Sequence, residues 1–472
     1  MGGCLGACGY YRLAALGALC GGTMGQIVSH HMTSPRPTAT DASSITAPKG
    51  FQYGLLGLPL AFVALPVYVH LPNFYAQSFG VSLGILGAIL LLTRCFDGLI
   101  DPWLGRQMDR VYESSSRRVL WVASALAALL ALGFAALFLP PDWGGHPNGQ
   151  LAWLVGALLL SHLAYSGLGI LHQAWAARQG GGEVAQSRWV TWREGLGLLG
   201  VLMASTLPTF IGWLNTTILL IALLLGGLWA WSFRLRTHQG RDATANTTAQ
   251  KRNDSSTTRS PLRFPNFRRL LLLFLLNGFA SAIPATLVLF FVQDGLQASK
   301  QWEAIYLGVY FAAGALSLPL WLRLIARVGL AKTWRIGMLI AVAAFVGVLT
   351  LGPGDLSAFF VICLASGLAL GADLAVPGAL LNRLIDECGE RQKSDAAFVG
   401  WWNLVTKMNL ALAAGLSLPL LGWLGYTPGQ QDPDALWALQ IAYGAVPCTL
   451  KLLAAFALSR WLIKPIKEGE IA

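Results

Sequence analysis

The sequence predicts an all-α membrane protein with twelve transmembrane helices, arranged as two sets of six. Three observations carry that prediction. The chain of 472 residues is 55% hydrophobic and only 12% charged, about half the roughly 25% charge content of soluble domains. Its mean hydropathy is +0.57, and its 53 Gly and 18 Trp suit membrane spans and their interfaces. Third, Lys and Arg fall almost wholly in alternate connecting segments, as the threading of a helical membrane protein requires.

A helix crosses the hydrocarbon core with about 20 mostly apolar residues, and twelve windows of that kind follow one another. The first two, near 52–76 and 82–103, lead into a loop with four basic residues. The third and fourth, near 119–139 and 151–176, lead into a connection with three, Arg193 included. The fifth and sixth, near 190–211 and 214–233, end at the longest polar stretch, Arg234 to Asn266, which together with Arg268 and Arg269 just after it holds nine. That stretch is rich in Thr, Asn, Ser and Arg and reads as a flexible linker. The seventh and eighth spans, near 267–292 and 303–326, are followed by a loop with four basic residues. The ninth and tenth, near 333–352 and 356–380, are followed by a loop with three. The eleventh and twelfth, near 397–421 and 437–461, end in a tail with three.

Together with the three in the N-terminal tail, 29 of the 33 basic residues then lie on one side. The opposite loops hold Lys300 alone, and Arg94, Lys407 and Lys451 fall inside spans. A wrong span count would scramble this alternation. Both termini are therefore expected in the cytoplasm, with the protein in the plasma (inner) membrane. The domain boundaries expected are a tail at 1–50, a six-helix bundle at 51–235, a cytoplasmic linker at 236–266, a second bundle at 267–461 and a tail at 462–472. Residues 13–22 are apolar but too short to span, and they make a poor signal peptide. Met32 is an alternative start, and residues 1–50 receive no function.

The net charge of +11 is thus a record of topology, and nucleic acid is not an expected partner. A disordered chain and an ordinary soluble enzyme are excluded by composition. The seven cysteines form no CxxC pair and no metal spacing with His, and an odd count argues against a disulfide framework. They read as small packing residues or idle thiols. No metal or cofactor is expected.

Ionisable groups inside spans cost roughly 2.5–3.5 kcal/mol each at the centre on insertion scales, so each is a functional hypothesis. The second span holds the densest group, Arg94, Asp97 and Asp101, followed by Pro102. Asp97 and Asp101 are four apart, which puts them on one helix face with about 6 Å of rise between them. Arg94 precedes Asp97 by three and lies on the same side. Two carboxylates on one face can hold a hard cation such as Na⁺ through oxygen or take up a proton. They could equally anchor the following loop, since from Ser82 they lie roughly 22 and 28 Å along the helix. Lys407 in the eleventh span needs a carboxylate partner, and these acids are the natural ones. Asp373 in the tenth span binds substrate or pairs with a cation. Arg193-Glu194 is either a self-neutralising pair or functional. His162 and His172 can shuttle protons, although a hydrogen-bonded core His is commoner. Lys451 reads as structural.

The run Arg94-xx-Asp97-xxx-Asp101-Pro102-xx-Gly105-xxx-Asp109-Arg110 resembles the glycoside–pentoside–hexuronide:cation symporters, the melibiose-carrier branch of the major facilitator superfamily. Tyr53-Gly54 resembles the opening of that family's first span, and Arg193-Glu194 with Gly195 and Gly197 the opening of its fifth. The run Gly371-Ala372-Asp373-Leu374-Ala375-Val376-Pro377 is similar to its tenth span, and Lys407 falls where it carries a Lys. The resemblance covers about residues 50–465. It implies the major facilitator fold, with Asp97, Asp101, Arg94 and Lys407 at the coupling cation, H⁺ or Na⁺. It also implies a cytoplasmic gate in which Gly105, Asp109 and Arg110 form a latching loop, with Pro102 and Arg193 beside it. This sequence departs from the galactoside carriers of the family: Leu55–Ala61 and Ala164–Ile170 lack the acids that would bind sugar hydroxyls. Ile100 stands where the Na⁺-using carrier has an amide, which favours a proton.

The expected function is cation-coupled symport of a sugar-like or other small polar solute by alternating access. Tyr53, Tyr165, Gln173, Asp373, Trp401 and Trp402 are the expected substrate contacts, and a monomer in the lipid bilayer is the expected form. Export, or handling of a lipid or amphiphile, is the alternative on the same scaffold. An integral membrane enzyme is remote, since no HExxH, GxSxG or Asp-rich phosphate motif occurs.

Overall fold

The computed structural model describes residues 45–142, 147–245, 260–426, 429 and 432–463. Met32 and the rest of the tail up to residue 44, residues 246–259 of the linker, and the residues after 463 lie outside the described residues. So do Cys4, Cys8 and Cys20. Every regular element among the described residues is helical.

The first span is interrupted, as α1 (Ala47–Gly54), α2 (Gly57–Leu65) and α3 (Leu71–Phe79), with a π-helical turn at Pro66–His70. The second, α4 (Leu83–Ser114), starts at an N-cap where the Ser82 hydroxyl accepts from the Ile85 amide at 3.4 Å. Pro102 sits within it without ending it. The latching loop expected around Gly105–Arg110 is therefore helix, and only Ser115 separates α4 from α5 (Ser116–Phe138). The fourth span is α6 (Pro147–Arg178). The fifth and sixth form α7 (Glu183–Ala245), divided at Gly212, whose φ of 73° breaks the helix. Helix thus continues into the segment expected to be linker.

The second half repeats the count: α8 (Pro265–Phe290), α9 (Lys300–Val328), α10 (Leu330–Phe345), α11 (Leu356–Ala375) with α12 (Pro377–Glu387), α13 (Asp395–Trp423), and α14 (Pro433–Gln440) with α15 (Val446–Leu458). Pro377 divides the tenth span, because its ring fixes φ and removes an N–H. Among the described residues nine helices are long and apolar enough to cross a membrane by themselves. The other three spans are the first, second and fifth.

Large apolar side chains such as Phe210, Leu316 and Trp423 are exposed, as expected of a surface facing lipid. Inside, each half has an aromatic core. In the first half Tyr53 stacks on His172 and Trp175 with ring centroids 4.3 and 5.2 Å apart. The second half holds a cluster around Phe291, Phe359 and Tyr443. The halves meet most closely where α4 crosses α13. A Cβ on Gly105 would strike the Ala396 carbonyl, and one on Gly400 the Asp101 carbonyl. Small residues at that crossing let two backbones touch.

Candidate functional site

The buried stripe of α4 repeats at four-residue spacing through Asp97, Asp101, Gly105 and Asp109, with Leu104 and Met108 beside it. Phe96, Leu99 and Trp103 point away and are exposed. Both acids consequently turn inward, with 1% and 0% exposure. The Lys407 ammonium, from α13 in the other half, lies 2.7 Å from Asp97 Oδ2 and 2.6 Å from Asp101 Oδ2. It also donates to Ser166 Oγ of α6 at 2.7 Å, and that hydroxyl donates to Asp97 Oδ1 at 2.6 Å. His162, one turn before Ser166, holds Nδ1 3.7 Å from Asp97 Oδ2. The anchoring role is set aside by this geometry: both carboxylates face a cation from the other half.

A cavity of about 500 Å³ lies beside this cluster. Its wall includes Arg94, Lys407, Tyr53, Tyr165, Gln173, Asp373 and Trp402. Trp401 is absent from that wall and packs against the hydrophobic core. Trp402 stacks on Phe274 with centroids 3.7 Å apart. Tyr53 is held in the aromatic stack, with its hydroxyl donating to the His172 carbonyl at 3.3 Å. His172 Nε2 donates to the Tyr53 carbonyl at 2.9 Å, which fixes the Nε2–H tautomer and makes His172 a core residue. Arg193 pairs with its neighbour Glu194 on the cavity wall. It lines the central cavity.

Asp373 has a second, separate network. Its Oδ2 lies 2.9 Å from Lys451 Nζ, and its Oδ1 accepts from Trp334 Nε1 at 2.8 Å and Asn277 Nδ2 at 3.1 Å. Lys451 also donates to Asn277 Oδ1 at 3.0 Å. All four belong to the second half. Lys451, read as structural, is thus the cation that Asp373 pairs with.

Toward the end of the molecule that carries the basic loops, Asp109 closes the seam between the halves. Its two oxygens accept from the Ala396 and Ala397 amides at 2.9 Å each, at the N-terminus of α13. The carboxylate therefore satisfies helix-end donors and meets the positive end of the helix dipole. Arg178 of α6 reaches Asp109 at 3.2 Å and Asp395 at 3.4 Å, and lies over the Tyr112 ring at 4.3 Å. Burial pushes the Asp109 carboxyl up to about 7, against the amides and Arg178, which pull it down. Arg110 is exposed and donates to Gln107 of its own helix. It takes no part in the seam, and Arg178 stands in the place expected for it. A second seam joins Glu183, which accepts from the Leu330 amide at 2.9 Å, to Arg383, and Gln186 to Asn382 at 2.8 Å.

Among the described residues no group of three or more His, Cys, Asp or Glu could hold a metal ion. A buried acid pair facing a lysine across two six-helix halves, beside a cavity, is the arrangement expected of a solute carrier. A family model described as "MFS/sugar transport protein" matches residues 50–464. The chain belongs to that family. It is a transporter and not an enzyme, embedded in a membrane through multiple spans.

The chain is 21% identical to a glucuronide carrier protein homolog of Escherichia coli (strain K12), covering 86% of this chain and 90% of that one. It is 22% identical to an uncharacterized symporter, YjmB, of Bacillus subtilis (strain 168), covering 82% and 86%. Among solved structures it is similar to a bacterial homologue of the iron transporter ferroportin in an outward-facing state, at a TM-score of 0.66 and 17% identity. That likeness covers 89% of this chain and all of the other, and at such identity it speaks for the fold alone. The family and its fold agree with the resemblance read from the second span.

Proposed function

We propose that the protein is a cation-coupled symporter of a sugar-like or other small polar solute, working by alternating access in the plasma membrane with both termini cytoplasmic. The observation that carries this is Lys407, whose ammonium from one half sits within 2.7 Å of two carboxylates from the other. Lys407 acts as a tethered cation. It occupies Asp97 and Asp101 while the basic, cytoplasmic end is closed, and an incoming cation competes with it for the same oxygens. Uptake of that cation weakens the tie between the halves, so loading and reorientation are linked. The coupling cation is a proton on this reading. The Lys407 ammonium already borders both acids, and among the neutral groups there Ser166 supplies an oxygen. His162, 3.7 Å from Asp97, is placed to pass the proton on.

The solute binds in the 500 Å³ cavity, against Arg94, Tyr165, Gln173 and Trp402, with Arg193-Glu194 offering a donor and an acceptor pair. A glucuronide or other glycoside is the solute class to test first, because one relative is named as a glucuronide carrier homolog. The deciding experiment is accumulation of a labelled glucuronide in reconstituted vesicles under an imposed pH or Na⁺ gradient. Asp97→Asn and Asp101→Asn are expected to abolish gradient-driven accumulation. Full gradient dependence in both variants would refute the coupling role, and response to Na⁺ alone would replace the proton.

A further inference from the structure

The two halves differ in how they are filled. In the first, Tyr53, His172, Trp175, Trp189 and Trp231 stack into a closed core. In the second, the space among α8, α9, α10, α11 and α15 is a cavity of about 320 Å³. That is about twice the roughly 150 Å³ apolar cavity that stays dry and takes up benzene, and it falls at the small end of ligand pockets, roughly 300–1,000 Å³.

Its walls are aromatic and thiol-bearing: Tyr306, Tyr310, Phe345, Tyr443, Cys363 and Cys448. Tyr306 spends its hydroxyl on the Leu356 carbonyl at 3.1 Å. Tyr443 is 98% buried, at 2% exposure. Its ring stacks on Phe291 at 4.5 Å, which fixes the direction of its hydroxyl, and no protein group accepts from that hydroxyl among the described residues. That hydroxyl opens onto the cavity instead of being sealed in the packing, so it is available to a guest. At one end stand Asp373 and Lys451, paired at 2.9 Å. Asp373 borders the central cavity too.

We propose that this second-half cavity is a separate binding site for a small, neutral aryl group carrying one hydrogen-bonding substituent. The aromatic walls take the ring by stacking and edge contacts, and Tyr443 donates to the substituent. The aryl group comes either from a free molecule or from the aglycone of a transported glycoside. The site itself does not depend on the transport reading; only the second source does.

Cys363 and Cys448 are native reporters. They are buried free thiols on the cavity wall, while Cys95 is exposed and Cys388 lies elsewhere. The test is the rate of modification of each thiol by N-phenylmaleimide in the purified full-length chain, read by mass spectrometry. 2-Naphthol at ten times its dissociation constant is expected to slow Cys363 and Cys448 about tenfold, by occupancy, with Cys95 and Cys388 unchanged. Cyclohexanol, lacking the π face, is expected to protect far less. Tyr443→Phe keeps the ring, and loss of one hydrogen bond should weaken protection about fivefold. Ala285→Phe, at an exposed wall position, should abolish it by filling the space.

Naphthyl β-D-glucuronide separates the sources. Protection by 2-naphthol alone assigns the site to free aryl molecules. Protection by the conjugate, reversed by excess glucuronate, assigns it to the aglycone. Lack of protection by either compound overturns the proposal, as does equal slowing of Cys95 or equal protection by cyclohexanol. Loss of transport with protection intact would sink only the transport reading.

Discussion

Replacing Lys407 by Met keeps much of the side-chain volume and removes the charge that ties α13 to α4 and α6. The structure sets the scale. Asp97 and Asp101 are buried to 1% and 0% exposure, and each has its Oδ2 within 2.7 Å of the lost ammonium. Removing one partner of a buried ion pair costs about 3–5 kcal/mol, because the remaining charge is left uncompensated. At about 1.4 kcal/mol per decade, the form with the basic end closed should lose roughly 100- to 4,000-fold in population relative to the open form. Spin labels at the exposed positions Arg106 and Lys393, on α4 and just before α13, report that separation through pulsed distance measurement. Lys407→Met should convert a single short distance into a distribution dominated by a longer one. Adding Asp97→Asn and Asp101→Asn should restore the short distance, since the uncompensated charges are then gone. An unchanged distribution in Lys407→Met would refute the tie, as would failure of the neutralised triple variant to recover in a protein that still folds.

Two further perturbations address the same seam. Gly105→Ala and Gly400→Ala place a methyl group against a carbonyl of the facing helix. Each should lengthen the same spin-label distance and raise access to the central cavity from the end that carries the basic loops, whereas Gly156→Ala, in open space, should change neither. Asp109 supplies a pH dependence. Its carboxyl is held at about 7 in the closed form, while a carboxyl released into water titrates near 4. A raised value means that the closed form binds the proton more tightly. Its stabilisation is therefore complete below about pH 4 and is lost as pH rises through about 7. The closed population should fall as pH rises from about 4 to about 7 and level off above that, and Asp109→Asn should flatten that response; an equally steep response in the variant would refute the assignment.

The parts of the fold and site that could be read from the sequence share a reason. The span count was legible because hydropathy is a local property. Asp97, Asp101 and Lys407 stood out because a charge in an apolar run is conspicuous whatever surrounds it. Ser166, by contrast, carries no such contrast. Its place between Asp97 and Lys407 depends on three helices meeting across 69 and 241 residues of chain. The amides of Ala396 and Ala397 were invisible because every residue has one; only the helix end at Asp395 makes them donors. Arg110 was a legible miss, since a residue one position after Asp109 is turned about 100° around the helix and cannot share its face. Arg178, at the end of α6, has the right phase but lies in a connection where several arginines look alike.

The distance in sequence between Asp97 and Lys407, 310 residues, has a consequence for how the protein is made. The second span must enter the bilayer carrying Arg94, Asp97 and Asp101, long before its lysine exists. At about 5–20 residues per second, the ribosome needs roughly 15–60 s to deliver that partner. During that interval the acids are served only by neighbours already inserted, of which Ser166 and His162 of α6 come first. Biogenesis should therefore be sensitive to the fourth span in a way the finished carrier is not. A Ser166→Ala, His162→Ala chain should lose more protein to degradation during synthesis than its thermal stability, once assembled, would suggest.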